Sequence, residues 1–198
     1  MGFMEIMSTI ESILTSVAKV LAVAGTAIQE IVDIFATLAE ALGLLDSETN
    51  PEELGDKAIE SAYNPDDYNS YDEYLEAVEA YEIDPEKSKN ISEEDKLSKG
   101  MEIILGALIN KYEETPMEEF CIEMASNKYF SSEKTKEIAK LIQDDKANIS
   151  NILNYVNGTE RDEHKLQNVI QTLVQVEKSV NPNISDKEAE KNVIMARK

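Results

Sequence analysis

From Phe3 onward the apolar residues of this chain fall at Phe3, Met7, Ile10, Leu14, Val17, Leu21, Ala24, Ile28, Ile31, Phe35, Leu38, Leu42 and Leu45. The steps between them alternate four and three without a slip. Such a seven-residue repeat draws one apolar line along an α-helix, a seam for another helix, and implies a left-handed supercoil. A second apolar row, Ile6, Ile13, Val20, Ala27, Ile34 and Ala41, runs beside the first. Ser8, Thr15, Ala22, Gln29, Ala36 and Gly43 flank it as small or weakly polar positions, and Glu5, Glu11, Lys19, Glu30, Asp33 and Glu40 all lie off the seam. An ordinary two-stranded zipper selects its partner with Glu and Lys beside the seam. The rows named here carry no charge, so the apolar face is wider than a two-stranded seam can cover. Either several helices meet along it, or the rest of the chain covers it from both flanks.

As one helix, this stretch would be about 64 Å long at 1.5 Å per residue, beside a body of roughly 15 Å radius of gyration. One such body cannot cover one such helix. The competing geometry is a hairpin bent at Ala24-Gly25-Thr26. An interior Gly costs only about 1 kcal/mol against Ala and forces no break. No Pro, Asn or Asp stands close to Gly25 to build a turn, and the repeat keeps phase across it. The spacing therefore predicts a continuous helix, with the hairpin as the alternative. Met7, Ile10, Leu14, Val17, Leu21, Ile28, Ile31, Phe35, Leu38 and Leu42 are the expected interface, toward a second copy of the chain or a helical partner.

The remaining sequence reads as helices too. With five Pro and seven Gly in 198 residues and no sustained two-residue alternation, the class is all-α: a long N-terminal heptad-repeat helix, then a compact multi-helix array without strands. Residues 1–46 form the expected hydrophobic arm and residues 50–198 an acidic helical body. Helix starts are marked by capping residues: Asn50 before Pro51, Ser70 with Glu73, Ser92 with Asp95, Thr115 before Pro116, Ser131/Ser132, Thr159 with Asp162, and Ser185 with Glu188. Asn64–Asn69 and Ile83–Ile91 read as loops, giving eight or nine helices. Five of the eight tyrosines (Tyr63, Tyr68, Tyr71, Tyr74, Tyr81) crowd into one neighbourhood. They suit either an aromatic contact surface or a core face with hydroxyls reaching water, and helical spacing favours the core for Tyr71, Tyr74 and Tyr81.

Charge excludes some partners. The formal net charge is −21, and residues 46–98 hold 18 acids against four Lys, net −14. Nucleic acid and anionic membrane surfaces would be repelled by such a chain. The N-terminus lacks a basic start and is interrupted by Glu5 and Glu11, unlike a signal peptide. Within the N-terminal repeat the longest uncharged run, Val20 to Gln29, is ten residues, short of the roughly 18 that a span needs. The expected location is cytoplasmic, or exported without a cleavable signal. Cys121 is the single cysteine and lies on an apolar helix face, so it reads as a core residue.

Catalytic patterns are missing. One His and one Cys do not furnish a zinc site or a Cys–His pair with ligands to spare. His164 has Arg161 where a di-iron helix would place Glu, and it reads as a solvent-facing residue. No Gly-rich phosphate loop or Gly-x-Ser-x-Gly elbow appears, and Asn64–Asn69 departs from the calcium-loop pattern. No catalytic residue, metal ligand or cofactor is therefore expected, and the chain does not read as an enzyme.

Two segments carry a resemblance: Glu53-Leu54-Gly55-Asp56-Lys57-Ala58 followed by Tyr81-Glu82-Ile83-Asp84-Pro85-Glu86-Lys87-Ser88, and Asn181-Pro182-Asn183-Ile184-Ser185-Asp186-Lys187-Glu188-Ala189. With the apolar N-terminal helix, the chain resembles helical proteins of Gram-positive anaerobes, some of which accompany phage-tail-like injection or secretion machinery. The resemblance brings no functional residues with it. The leading expectation is a non-enzymatic interaction protein that associates through residues 3–45. The alternative is a secreted or membrane-active cargo whose N-terminal helix is shielded until delivery. Against insertion stands an acidic polar face without the Lys and Arg of surface-seeking helices.

Overall fold

The computed structural model describes residues 2–24, 28–46, 48–113 and 115–198, with the backbone alone for Phe3, Val23 and Ala24. The described residues form eleven α-helices and no strand: α1 (Phe3–Ala24), α2 (Ile28–Ala41), α3 (Pro51–Ser61), α4 (Tyr71–Glu79), α5 (Pro85–Ser88), α6 (Glu93–Lys111), α7 (Met117–Ser126), α8 (Ser132–Gln143), α9 (Ile149–Val156), α10 (Glu163–Val180) and α11 (Asp186–Met195). A single 3-10 turn covers Pro65–Asp67. The class is all-α, with a long N-terminal helix and a compact helical array.

α6 is the hub. Met101, Ile103, Ile104, Leu105, Ala107, Leu108 and Ile109 are consecutive or nearly so, and all are buried. A stretch apolar on every side, as residues 103–109 are, has to be enclosed by other helices, and α6 packs against α1, α2, α3, α4 and α7. Small residues set the distances. A Cβ at Gly55 would lie 1.8 Å from the Lys96 carbonyl oxygen, and one at Gly100 1.9 Å from that of Pro51, so α3 and α6 touch backbone to backbone. At Gly106 a Cβ would strike the Tyr71 hydroxyl at 2.0 Å. That hydroxyl donates to the Ile103 carbonyl at 2.9 Å, which pins α4 onto the hub.

α1 packs on α6 and α7, and α2 on α6, α7 and α8. Both helices contribute to the same core cluster as the rest of the chain. The continuous helix expected through Gly25, and its alternative, a bend at Ala24-Gly25-Thr26, both turn on residues 25–27, outside the described residues. α2 ends by a left-handed Gly43 (φ 71°), with the Leu44 N–H donating to the Ala39 carbonyl and the Gly43 N–H to the Glu40 carbonyl.

Most caps are as expected: Asn50, Ser70, Ser92, Ser131 and Ser185 each accept a hydrogen bond from a backbone N–H of the first turn. Three details differ. The Thr115 hydroxyl donates back to the Tyr112 carbonyl at 2.7 Å instead of capping α7, whose cap position is Pro116 without a side-chain acceptor. Asp162, not Thr159, caps α10 through the His164 and Lys165 N–H groups. The segment read as a loop from Ile83 to Ile91 contains α5, capped by Asp84 with Pro85 in its first turn. It repeats the Asn50-Pro51 logic in a helix too short to show an apolar stripe.

The α3–α6 contact yields a direct test. Alanine in place of Gly100 would ordinarily stabilise a helix by about 1 kcal/mol, but here the two backbones must separate. Gly100→Ala should lower stability in urea unfolding by about 3 kcal/mol. A loss below about 1 kcal/mol would show that α3 is not seated on α6 at this point.

Candidate interaction surface

The ten seam residues separate into two groups. Ile10, Val17, Ile31, Phe35, Leu38 and Leu42 are buried in the chain's own core, and Met7, Leu14, Leu21 and Ile28 are half-buried at its edge. The difference lies in which row of each helix turns inward. On α1 the buried line is Ile6, Ile10, Ile13 and Val17, so the hub takes up one part of the wide apolar face and leaves Met7, Leu14 and Leu21 at its margin. Met4 continues that margin and is 80% exposed. On α2 the burial is deeper, because Val32, Ile34 and Ala39 join Ile31, Phe35 and Leu38 under α6 and α8. The Ser12 hydroxyl donates to Glu118 Oε1 at 2.6 Å and fixes α1 beside α7. The resulting surface is an outer stripe on α1, Met4, Met7, Leu14 and Leu21, interrupted by exposed Glu11 and Ala18.

Buried polar clusters offer the other places where chemistry could sit. Asp56, 4% exposed, pairs with Lys96 at 2.7 Å. The Ser88 hydroxyl donates to Asp56 Oδ2 at 2.5 Å, and Lys96 Nζ donates to Ser88 Oγ at 2.7 Å. A Ser beside a Lys invites a nucleophile–base reading, but the protons are arranged against it. The lysine donates to the serine oxygen and pairs with Asp56, and the serine hydroxyl donates to the carboxylate, so neither group is poised to activate the other. What the triad does is tie α5 to α3 and α6. Sequence reasoning missed this cluster, and Asp56 opposite Lys96 could be found only once α3 and α6 were known to pack together.

Two further carboxylates are buried against lysines. Glu177 meets Lys134 at 2.5 Å and accepts from Asn192 Nδ2 at 2.7 Å, while Lys134 also lies 4.2 Å over the Tyr129 ring. Glu123 pairs with Lys198 and accepts from Asn127 Nδ2 at 2.9 Å. The first joins α8 to α10 and the second joins α7 to the C-terminal residue. Burial pushes the Cys121 thiol up to about 12, so it is protonated and inert at ordinary pH. The exposed cleft lined by Asp46, Glu48, Glu53, Lys57 and Glu79 is occupied by its own ion pair, Lys57 with Glu53 at 2.9 Å. Burial and the neighbouring Asp46 hold Glu79 above the usual carboxylate range. Among the described residues no group of three or more His, Cys, Asp or Glu side chains stands where a metal ion could be held. No helix among them is long and apolar enough to cross a membrane.

The tyrosines also divide. Tyr71 and Tyr74 are core residues, whereas Tyr68 and Tyr81 lie at the edge and Tyr63 on the surface. Burial and then Glu102 push the Tyr74 phenol up to about 12, and burial raises Tyr71 well above its ordinary value. The protonated phenols are therefore the ones the fold favours. That stability is complete below about pH 10, the free phenol value, and is lost as pH rises through the folded value of about 12. An alkaline titration should show Tyr71 and Tyr74 ionising only together with the loss of helical circular dichroism. A smooth titration of every tyrosine with the helices intact would contradict the burial described.

Comparison with protein-family models, with curated proteins and with solved structures finds no match for this chain.

Proposed function

We propose that this chain is a non-enzymatic interaction protein, and that its docking element is the outer stripe of α1 acting on a second copy of the same chain. One observation carries the reading: the apolar face of α1 is wider than the core uses. Ile6, Ile10, Ile13 and Val17 are enclosed, while Met7, Leu14 and Leu21 are half covered and Met4 is open. Those four recur at three- and seven-residue spacings on one side of the helix, so a second helix laid along them meets a line of apolar contacts with Glu11 and Ala18 set between them. The described buried ion pairs support the non-catalytic half of the proposal, since Lys96, Lys134 and Lys198 are each paired with a carboxylate from a segment distant in sequence.

The stripe from Met4 to Leu21 is about 27 Å long at the α-helical rise. A contact of that length lies at the lower end of specific interfaces, so the association is weak and concentration-dependent. Charge works against it, because each copy carries −21. Salt screens that repulsion and leaves the apolar contact in place, so association should strengthen with ionic strength.

Light scattering tests the reading. The wild type should show a mass above the single-chain 22.2 kDa that rises with concentration and with added salt. Leu14→Glu with Leu21→Glu, at half-covered positions, should return the mass to 22.2 kDa and lower the stability of the fold by no more than about 2 kcal/mol. Ile10→Asp with Val17→Asp buries two unpaired charges in the core and should instead abolish cooperative melting. A wild type that stays at single-chain mass at every concentration and salt level rejects self-association. Capture of the chain by lipid vesicles that float in a density gradient would move the stripe's target to a membrane.

A further inference from the structure

The tyrosine neighbourhood supplies a second surface of different chemistry. Its rings form one connected series. Tyr81 lies 6.0 Å from Tyr63, Tyr63 lies 6.1 Å from Tyr68, Tyr68 lies 5.6 Å from Tyr74, and Tyr74 lies 5.6 Å from Tyr71, each edge to face. The inner members are fixed by the core, so the outer ones are held in place instead of sweeping through solvent. Tyr63, 40% exposed, is the outermost ring, and Tyr68 and Tyr81 stand partly open beside it. The Tyr63–Tyr81 contact brings two acidic segments together, the turn carrying Asp66 and Asp67 and the segment carrying Glu82 and Asp84, all four exposed. The Asp84 N–H donates to Glu60 Oε2 at 2.8 Å, which locks the second segment to α3.

The charge around these rings is largely uncompensated. Of the four lysines in residues 46–98, Lys96 is committed to Asp56, Lys57 to Glu53 and the Glu79 carbonyl, and Lys89 to Glu86, while the fourth, Lys87, is exposed on α5. A rigid aromatic face with carboxylates on its rim is complementary to a planar cation. A guanidinium can stack on a tyrosine ring while its edge pairs with a carboxylate, and a lysine ammonium can do only part of this. We propose that the Tyr63–Tyr68–Tyr81 face, rimmed by Asp66, Asp67, Glu82 and Asp84, docks an arginine-rich polypeptide segment. The site is separate from the α1 stripe and responds oppositely to salt: screening strengthens self-association and weakens this contact.

Fluorescence anisotropy with the full chain and a labelled Arg-Gly repeat peptide tests the proposal, with a Lys-Gly repeat of equal length as the second arm. The wild type should bind the arginine peptide more tightly than the lysine peptide. Tyr63→Ser changes an exposed ring without changing net charge, and it should weaken the arginine peptide about threefold; Tyr63→Ser with Tyr81→Ser should weaken it about tenfold. Asp66→Asn with Asp67→Asn should weaken it as well, whereas Glu163→Gln with Glu190→Gln, equal in charge and placed on α10 and α11, should leave it within about twofold. Thermal melts by circular dichroism confirm that each variant is folded, and Tyr63→Ser alone decides the question if the double variant is not. Equal losses from both pairs of charge variants, with no loss from Tyr63→Ser, would show that the peptide reads only net charge and would overturn the proposal. So would failure of the wild type to bind.

Discussion

A helical stretch that is apolar around its whole circumference cannot stand at a surface, and residues 103–109 of α6 are such a stretch. Its burial requires neighbours on every side, and α1, α2, α3, α4 and α7 are those neighbours. The rest of the architecture follows from how closely each can approach. Gly55 and Gly100 let α3 come to backbone contact, and Gly106 makes room for the Tyr71 ring. The hydrophobic effect supplies the drive, while three missing side chains set the geometry.

The same demand explains what becomes of the N-terminal repeat. A four–three spacing reports that one face of a helix is apolar, and it does so whether that face meets another chain or the chain's own hub. The class, the caps at Asn50, Ser70, Ser92, Ser131 and Ser185, and the burial of Cys121 were all legible, because each depends on residues close in sequence or on a single helix face. The division of the seam into an enclosed part and an open part was not. Ile10 and Leu14 are equally apolar, and only the direction from which α6 and α7 arrive makes the first buried and the second marginal. The tyrosines behave alike: Tyr63 and Tyr74 are the same residue type eleven positions apart, and their opposite exposures depend on where α4 meets α6. The Asp56–Ser88–Lys96 tie spans three elements and leaves no local trace. Thr115 misled for a simpler reason, since a hydroxyl before Pro resembles a cap even when it bonds backward to Tyr112.

Charge placement follows a consistent economy. In a chain with 40 acids and 19 Lys and Arg, cations are scarce. Three of the lysines are set against carboxylates in the interior: Lys96 against Asp56, Lys134 against Glu177, and Lys198 against Glu123. A buried carboxylate without a cation is costly, so these pairings have first claim on the positive charge. The surface is left acidic as a result. Both proposed contacts inherit that field, one having to overcome it and the other using it.

Cys121 adds a consequence of another kind. It is the single thiol in the chain, it lies in the core on α7, and its proton is held until strongly alkaline pH. Any reagent that modifies it has to wait for α7 to come away from its neighbours. The rate of modification under native conditions is therefore a clock for that opening, with one tick per molecule and no background from a second site. Where closing outpaces the reagent, the rate measures the free energy of local opening. A contact made on the outer side of α1, remote from the sulfur, would be registered there only as far as it slows the motion of the helices packed against α7.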